Sequence, residues 1–330
     1  MVRYFLLFQL IMLLNKFCFA QNTISNTDKT FQIDSINSYK QNTAKDSSML
    51  VGKKVITLST VVINNKLNVP AFITRIKNDT SFYKAFRNLY VLNYTAINDV
   101  RMVDKNYNNL ATLSSKTRQL FDGDCRRMEV LDEKSSGDFY TSDHEYNYYT
   151  AQLYASLFFT KGIVCGENNI VAGNGFNISN KSGLEKNKEQ LKVLFFNPGK
   201  KISGIPFMNK KTAIYDDDMA ASYDMSVDMD QYNKTSCYIF KQKVKPGKES
   251  SVVIDEMITW FDDKTFEVVA RNYSLSFDAG VYDFKVQIEV QMTHAGKYLV
   301  PALIRYNGNW KLLFKKRERG IFTATLFDFK

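Results

Sequence analysis

The chain has 330 residues, 45% of them hydrophobic, 14% aromatic and 24% charged, which excludes a disordered or low-complexity polymer and allows one large β domain or two smaller ones. The formal net charge is +10, or +8 without Arg3 and Lys16, and Lys and Arg are spread along the chain rather than clustered. With no nucleic-acid-binding module in sight, this balance describes a basic soluble surface or one that meets anionic lipid or glycan, and it excludes nucleic acid as the expected partner.

Arg3 opens a positive n-region, Tyr4 to Leu14 is a short apolar core, and Cys18-Phe19-Ala20 precedes Gln21. This pattern predicts a signal peptide over residues 1–20 and hence an exported protein, periplasmic or associated with the outer membrane. Asn15-Lys16-Phe17 lacks the small residues that precede a lipidated Cys, so Cys18 is not expected to carry lipid. Cys125, Cys165 and Cys237 then remain. An oxidising compartment permits one disulfide, for which Cys125 and Cys165, both beside turn-like sequence, are the candidates; three free thiols is the alternative.

Residues 21–52 are rich in Ser, Thr, Asn, Gln, Asp and Lys over most of their length and predict a flexible leader; one domain is expected over 53–330. Lys53 to Leu67 alternates as a strand buried on both sides, or a strand leading into a helix. Pro70 fits the first turn of a helix whose apolar side is Phe72, Ile73 and Ile76, and Asp79 can cap a second with Phe82, Phe86 and Leu89 at helical spacing. Tyr94 to Asp104 and Leu110 to Phe121 predict strands, Met128 to Leu131 a short one, and Lys134 to His144 a loop. From Tyr146 to Phe159 the pattern is helical and apolar nearly all round, with Leu153, Leu157 and Phe158 in its stripe, so this helix is either core or a lid over an apolar cavity. Ser182 can cap a further helix through Leu194, and Lys201 to Tyr215 and Ser222 to Met229 predict strands.

From Thr235 onward the chain reads as antiparallel strands. Tyr282, Phe284, Val286, Ile288, Val290 and Met292 fall on one face and Asp283 through Gln291 on the other, the period of two of a half-buried strand. Gly296 predicts a turn, Asn307-Gly308 a two-residue hairpin, and Gly320 a break before a last strand to Phe329. The order predicts an α+β fold: a single curved antiparallel sheet with helices on one side.

No catalytic motif stands out. Gly173-Asn174-Gly175 lacks the third glycine of a dinucleotide fingerprint, there is no Gly-x-Ser-x-Gly elbow, and Asp255 and Glu256 point to opposite faces of a strand. Two histidines and no Cys-x-x-Cys pair leave no zinc ligand set, and the acidic group Asp216 to Asp218 with Asp224, Asp228 and Asp230 lacks the order of a calcium loop. Neither enzyme activity, nor a metal, nor a cofactor is expected. Lys315, Lys316 and Arg317 form a basic run between strands that is available to anionic lipid headgroups.

Three segments carry a resemblance: Tyr149 to Thr160; Phe196-Asn197-Pro198-Gly199 with Gly204-Ile205-Pro206; and Val253 to Met257 continuing through Trp260-Phe261-Asp262, Val300-Pro301 and Trp310. They resemble an exported Bacteroidota family whose fold is similar to the lipoprotein carriers of the LolA/LolB type. That resemblance implies a half-open barrel of about eleven antiparallel strands around a hydrophobic cavity, with helices plugging the mouth, that binds acyl chains and does no chemistry. The expected function is a carrier or binding protein for a lipid or lipoprotein acyl chain; the alternative is an envelope scaffold with a filled core. Leu153, Leu157 and Phe158 would form the lid and Tyr282, Phe284, Val286, Ile288 and Val290 the inner wall of a pocket of several hundred Å³.

Overall fold

A computed structural model describes residues 47–51, 54–58, 69–171, 194–201, 208–280, 282–312 and 315–330. The expected signal peptide, the helix after Ser182 and the Gly173–Gly175 loop lie outside the described residues. Strands β1 (Ser47–Val51) and β2 (Lys54–Leu58) pair as a separate two-stranded ribbon, so the last residues of the expected leader are strand.

The main sheet has eleven strands, all pairs antiparallel. They are β3 (Tyr94–Val103), β4 (Asn109–Asp122), β5 (Cys125–Gly137), β6 (Ile163–Cys165), β7 (Tyr223–Tyr232), β8 (Thr235–Val244), β9 (Ile254–Asp262), β10 (Val268–Asp278), β11 (Tyr282–Ala295), β12 (Tyr298–Leu312) and β13 (Glu318–Phe327). The sheet is open, in the order β6-β5-β4-β3-β13-β12-β11-β10-β9-β8-β7, so the last strand docks on the first long one and the chain closes in its middle.

Register makes one face the core. Directly paired residues share a face, and the pairs Met225–Gln242–Met257–Tyr273–Ile288–Tyr306–Phe322–Val100–Leu113 run as one row across nine strands. Every member but half-buried Tyr306 is buried. Three of the described helices lie over this face. Phe72 of α1 (Val69–Asn78) meets Tyr238, Phe240 and Phe261 with ring centroids 5.9, 5.7 and 5.7 Å away. Phe82 of α2 (Ser81–Asn88) meets Tyr273 at 6.4 Å. Asp79 Oδ1 accepts the Ser81 N–H at 2.9 Å just ahead of α2. Tyr154 of α3 (Tyr149–Phe158) meets Phe322 at 4.8 Å. On the other face Cys237, Ile239, Ile258, Trp260 and Ala270 form a smaller apolar cluster.

Several sequence expectations are corrected. Asn307 and Gly308 do not turn: β12 runs straight through them, pairing with Gln287 and Val286 on one side and Ile321 and Gly320 on the other. Gly320 likewise sits inside β13 rather than breaking it. Turn propensity is a local preference of a fraction of the energy, and two full ladders of backbone hydrogen bonds override it. The turn at Gly296 does form, with Ala295 pairing to Tyr298. Met128 to Leu131 is part of a 13-residue strand that continues through Lys134 to Gly137, where a loop is expected; its far half is exposed on both faces, so no apolar period marks it. Between Lys201 and Tyr215 the described residues hold a 3-10 turn at Asn209–Thr212 in place of a strand.

Cys125 and Cys165 pair directly in the β5–β6 register and form a disulfide; Cys237 is a buried free thiol.

Candidate functional site

Helix α3 is positioned from both ends of its neighbourhood. Tyr148, ahead of its first turn, offers no side-chain cap; the free N–H groups are met instead by Glu318 of β13, whose carboxylate accepts Tyr149 N–H at 3.1 Å and Thr150 N–H and Oγ1–H at 2.8 Å each. One turn on, the Tyr154 hydroxyl donates to Oδ1 of buried Asn98 at 3.1 Å, and Asn98 in turn donates to Ser115 and Thr117 at 3.3 and 3.4 Å. This polar patch on β3 and β4 fixes where the helix crosses the sheet.

The apolar side of α3 then roofs a cleft. Leu153, Tyr154, Leu157 and Phe158 form the roof. Tyr273 of β10, Ile288 and Val290 of β11, Ile304 and Tyr306 of β12 and Phe322 of β13 form the floor, and Phe86, Phe195 and Phe196 the side. Rings converge on it: Phe86 stacks on Phe196 at 4.3 Å, Phe158 lies edge-on to Phe196 at 5.9 Å, and Phe195 lies 6.0 Å from Tyr306. The lining carries no charged side chain, and its phenol hydroxyls are engaged. Tyr154 bonds Asn98, Tyr273 donates to the Phe195 carbonyl, and Tyr306 accepts from Trp310 Nε1 at 2.6 Å. Burial pushes the Tyr154 and Tyr273 phenols well above the usual tyrosine range, so both stay protonated at neutral pH.

The cleft is nearly closed. About 490 Å³ lies between its side chains when the open mouth is counted, but only about 30 Å³ of that is wide enough for water. The smaller figure decides what fits, because the larger includes open solvent. A cavity of this size holds one or two waters, not a chain. Among the described residues, the aromatic rings therefore fill most of the several hundred Å³ expected of the pocket.

Five of the eight residues picked from sequence meet here: Leu153, Leu157, Phe158, Ile288 and Val290. Tyr282, Phe284 and Val286 share their face of β11 but do not line the cleft. They lie further along the strand, where Phe284 stacks on Trp310 at 4.5 Å and Phe277 lies 5.7 Å from Tyr282. Sequence reasoning missed Tyr273, Ile304, Tyr306 and Phe322, which reach the cleft through register alone. Phe86 stood in the apolar stripe of α2, and Phe195 and Phe196 border the Asn197-Pro198-Gly199 stop. Arg317 does not face outward with Lys315 and Lys316: it pairs with Asp283 at 2.5 Å and donates to Asn309 Oδ1 at 2.5 Å, leaving two exposed lysines in the basic run.

Arg271, the cross-strand partner of Val290, is a buried charge beside the floor. Its guanidinium turns away toward β9, donating from Nε to Thr259 Oγ1 at 2.9 Å with Phe82 stacked 4.2 Å above. Burial draws it below the ordinary arginine value. Among the described residues, no group of three His, Cys, Asp or Glu side chains converges as a metal site.

No protein-family model and no curated protein matches the sequence. Among solved structures, the chain is similar to a Vibrio parahaemolyticus domain named for outer membrane lipoprotein sorting, at 9% identity and TM-score 0.26 over 78% of this chain and 90% of that one. It is also similar to a DUF1329 family protein from Desulfovibrio piger, at 10% identity and TM-score 0.25 over 78% and 92%. Scores this low do not bear on what the chain binds.

Proposed function

We propose that the protein is a non-enzymatic binding protein of the cell envelope that takes a lipid or lipoprotein acyl chain into the cleft under α3. The observation that carries this reading is the lining: thirteen aliphatic and aromatic residues with every hydroxyl turned to a protein partner. Such a wall has nothing to offer a polar substrate and much to offer methylenes, each worth about 0.8 kcal/mol when buried. Entry requires the roof to move, with Leu157 and Phe158, both half-buried, leaving first. The chain then exchanges protein–protein for protein–ligand contact. The N-terminal pattern and the Cys125–Cys165 disulfide fit an oxidising compartment. Exposed Lys315 and Lys316 are the candidates for meeting anionic headgroups.

A second reading, an envelope scaffold with a filled core, is favoured by the same 30 Å³ of free space. Titration with a fluorescent fatty acid, alongside melting curves, separates the two. The carrier reading expects saturable binding by the wild type and weaker binding by Leu157→Asp with the fold retained. A folded wild type that binds nothing leaves the scaffold.

A further inference from the structure

We infer that a second cavity, where the end of α1, the start of α2 and the β9–β10 turn meet, binds a small organic cation: an ammonium or methylated ammonium group. The cavity measures about 90 Å³, three times the free space under α3. For scale, an engineered cavity of about 150 Å³ holds benzene. Its walls combine two chemistries. Phe72, Phe261 and Phe266 supply aromatic rings, with Phe72 edge-on to Phe261 at 5.7 Å and tilted against Phe266 at 6.2 Å. Asp79 and Glu267 supply carboxylates. Ring faces and carboxylates together attract a cation that carries hydrocarbon, once the Arg75 guanidinium that also lines the cavity moves aside. Ser81 adds a buried hydroxyl without a hydrogen-bond partner among the described residues.

The chain's own cation shows how the site is used. One face of Phe266 stacks on Tyr238 at 5.3 Å; Arg75 lies 4.6 Å from the ring centroid. Arg75 is exposed and, among the described residues, otherwise holds only the Thr265 carbonyl, at 3.1 Å, so it is a displaceable placeholder. Phe266 itself is held in the left-handed region at φ +60°, uncommon for a bulky residue. The turn enforces this: Asp262 Oδ1 accepts the N–H groups of Lys264 and Thr265 at 2.8 Å each, and the Asp262 carbonyl accepts Phe266 N–H at 2.9 Å. Backbone held in a sparsely populated region concentrates at ligand sites. A bound ammonium group takes the place of Arg75 on Phe266, with Glu267, whose Oε2 also lies 3.3 Å from His294 Nε2, as counter-charge. The inference is independent of what the α3 cleft binds.

Isothermal titration with tetramethylammonium and with choline tests it, with sodium chloride and acetate at matched ionic strength as controls and melting curves for each protein. Saturable binding of the organic cations is expected. Glu267→Gln weakens it about tenfold, and Arg75→Ala, which clears the ring face, tightens it. Co-sedimentation with phosphatidylcholine vesicles that is lost in Glu267→Gln assigns the cation to a lipid headgroup, whereas binding of free choline alone assigns a soluble ligand. No saturation by folded wild type and folded Arg75→Ala, or equal binding by Glu267→Gln, overturns the inference.

Discussion

Gly308 and Gly320 face each other across the β12–β13 pair, and the Tyr306 and Phe322 rings of the neighbouring pair lean over them. The rings stack at 4.8 Å with planes 10° apart, forming part of the cleft floor. Glycine is needed at both positions because a side chain there would occupy the space the rings fill, the arrangement by which an aromatic neighbour covers a strand glycine.

Gly308→Ala should therefore destabilise the fold. The added methyl would stand 2.5 Å from the Tyr306 hydroxyl and 2.7 Å from its Cζ. That hydroxyl is tied to Trp310, so the ring cannot swing away freely. Overpacking of this kind costs about 1–3 kcal/mol, partly offset by the stiffer unfolded chain. Urea denaturation reads it directly, and an unchanged midpoint would refute the packing account.

Glu318→Ala should loosen the roof. It removes the acceptor of two N–H groups and one hydroxyl at the start of α3. The expected cost is about 1–2 kcal/mol, the range for losing a helix cap. Hydrogen exchange at the Tyr149 and Thr150 amides should speed up more than exchange in β11; uniform acceleration would mean that the change acts on the fold as a whole.

The cysteines should separate by reactivity. The chain starting at Gln21, denatured without reductant, should titrate one thiol, that of Cys237. In the native state Cys237 should resist alkylation, because burial pushes its thiol up to about 11 and shields the sulfur. Reduction of Cys125–Cys165, 40 residues apart, should cost about 3–4 kcal/mol in the chain-entropy model. Three titratable thiols before reduction would contradict the pairing.

Asp255 gives a pH signature. Burial raises its carboxyl above the usual range, against a 2.7 Å hydrogen bond from Ser276 and the nearby Lys285. A folded-state value above the unfolded one favours folding below the ordinary carboxylate range, and that contribution is lost as pH rises through the folded value. Asp255→Asn should then raise the melting temperature by a few degrees at pH 7 and by less at pH 4. A larger gain at pH 4 would reverse the assigned sign.

Much of the architecture was legible in the chain because it rests on local periodicity. The alternation from Tyr282 to Met292 identified β11, and the apolar spacing of Leu153, Leu157 and Phe158 identified α3, since a half-buried strand and a covering helix each impose their own repeat. Strand β5 past Leu131 was not legible: exposed on both faces, it has no repeat to impose. Only the tertiary structure decided that Asn307-Gly308 lies mid-strand, because partners on both sides outweigh a local turn preference. Register likewise decided which residues of one β11 face reach the cleft. Val286 and Val290 look alike in sequence, but Val290 lies under α3 while Phe284, two residues before Val286, lies against Trp310. Whether the space under the helix is open depends on how rings from six separate segments interlock, a volume that no single stretch of sequence encodes.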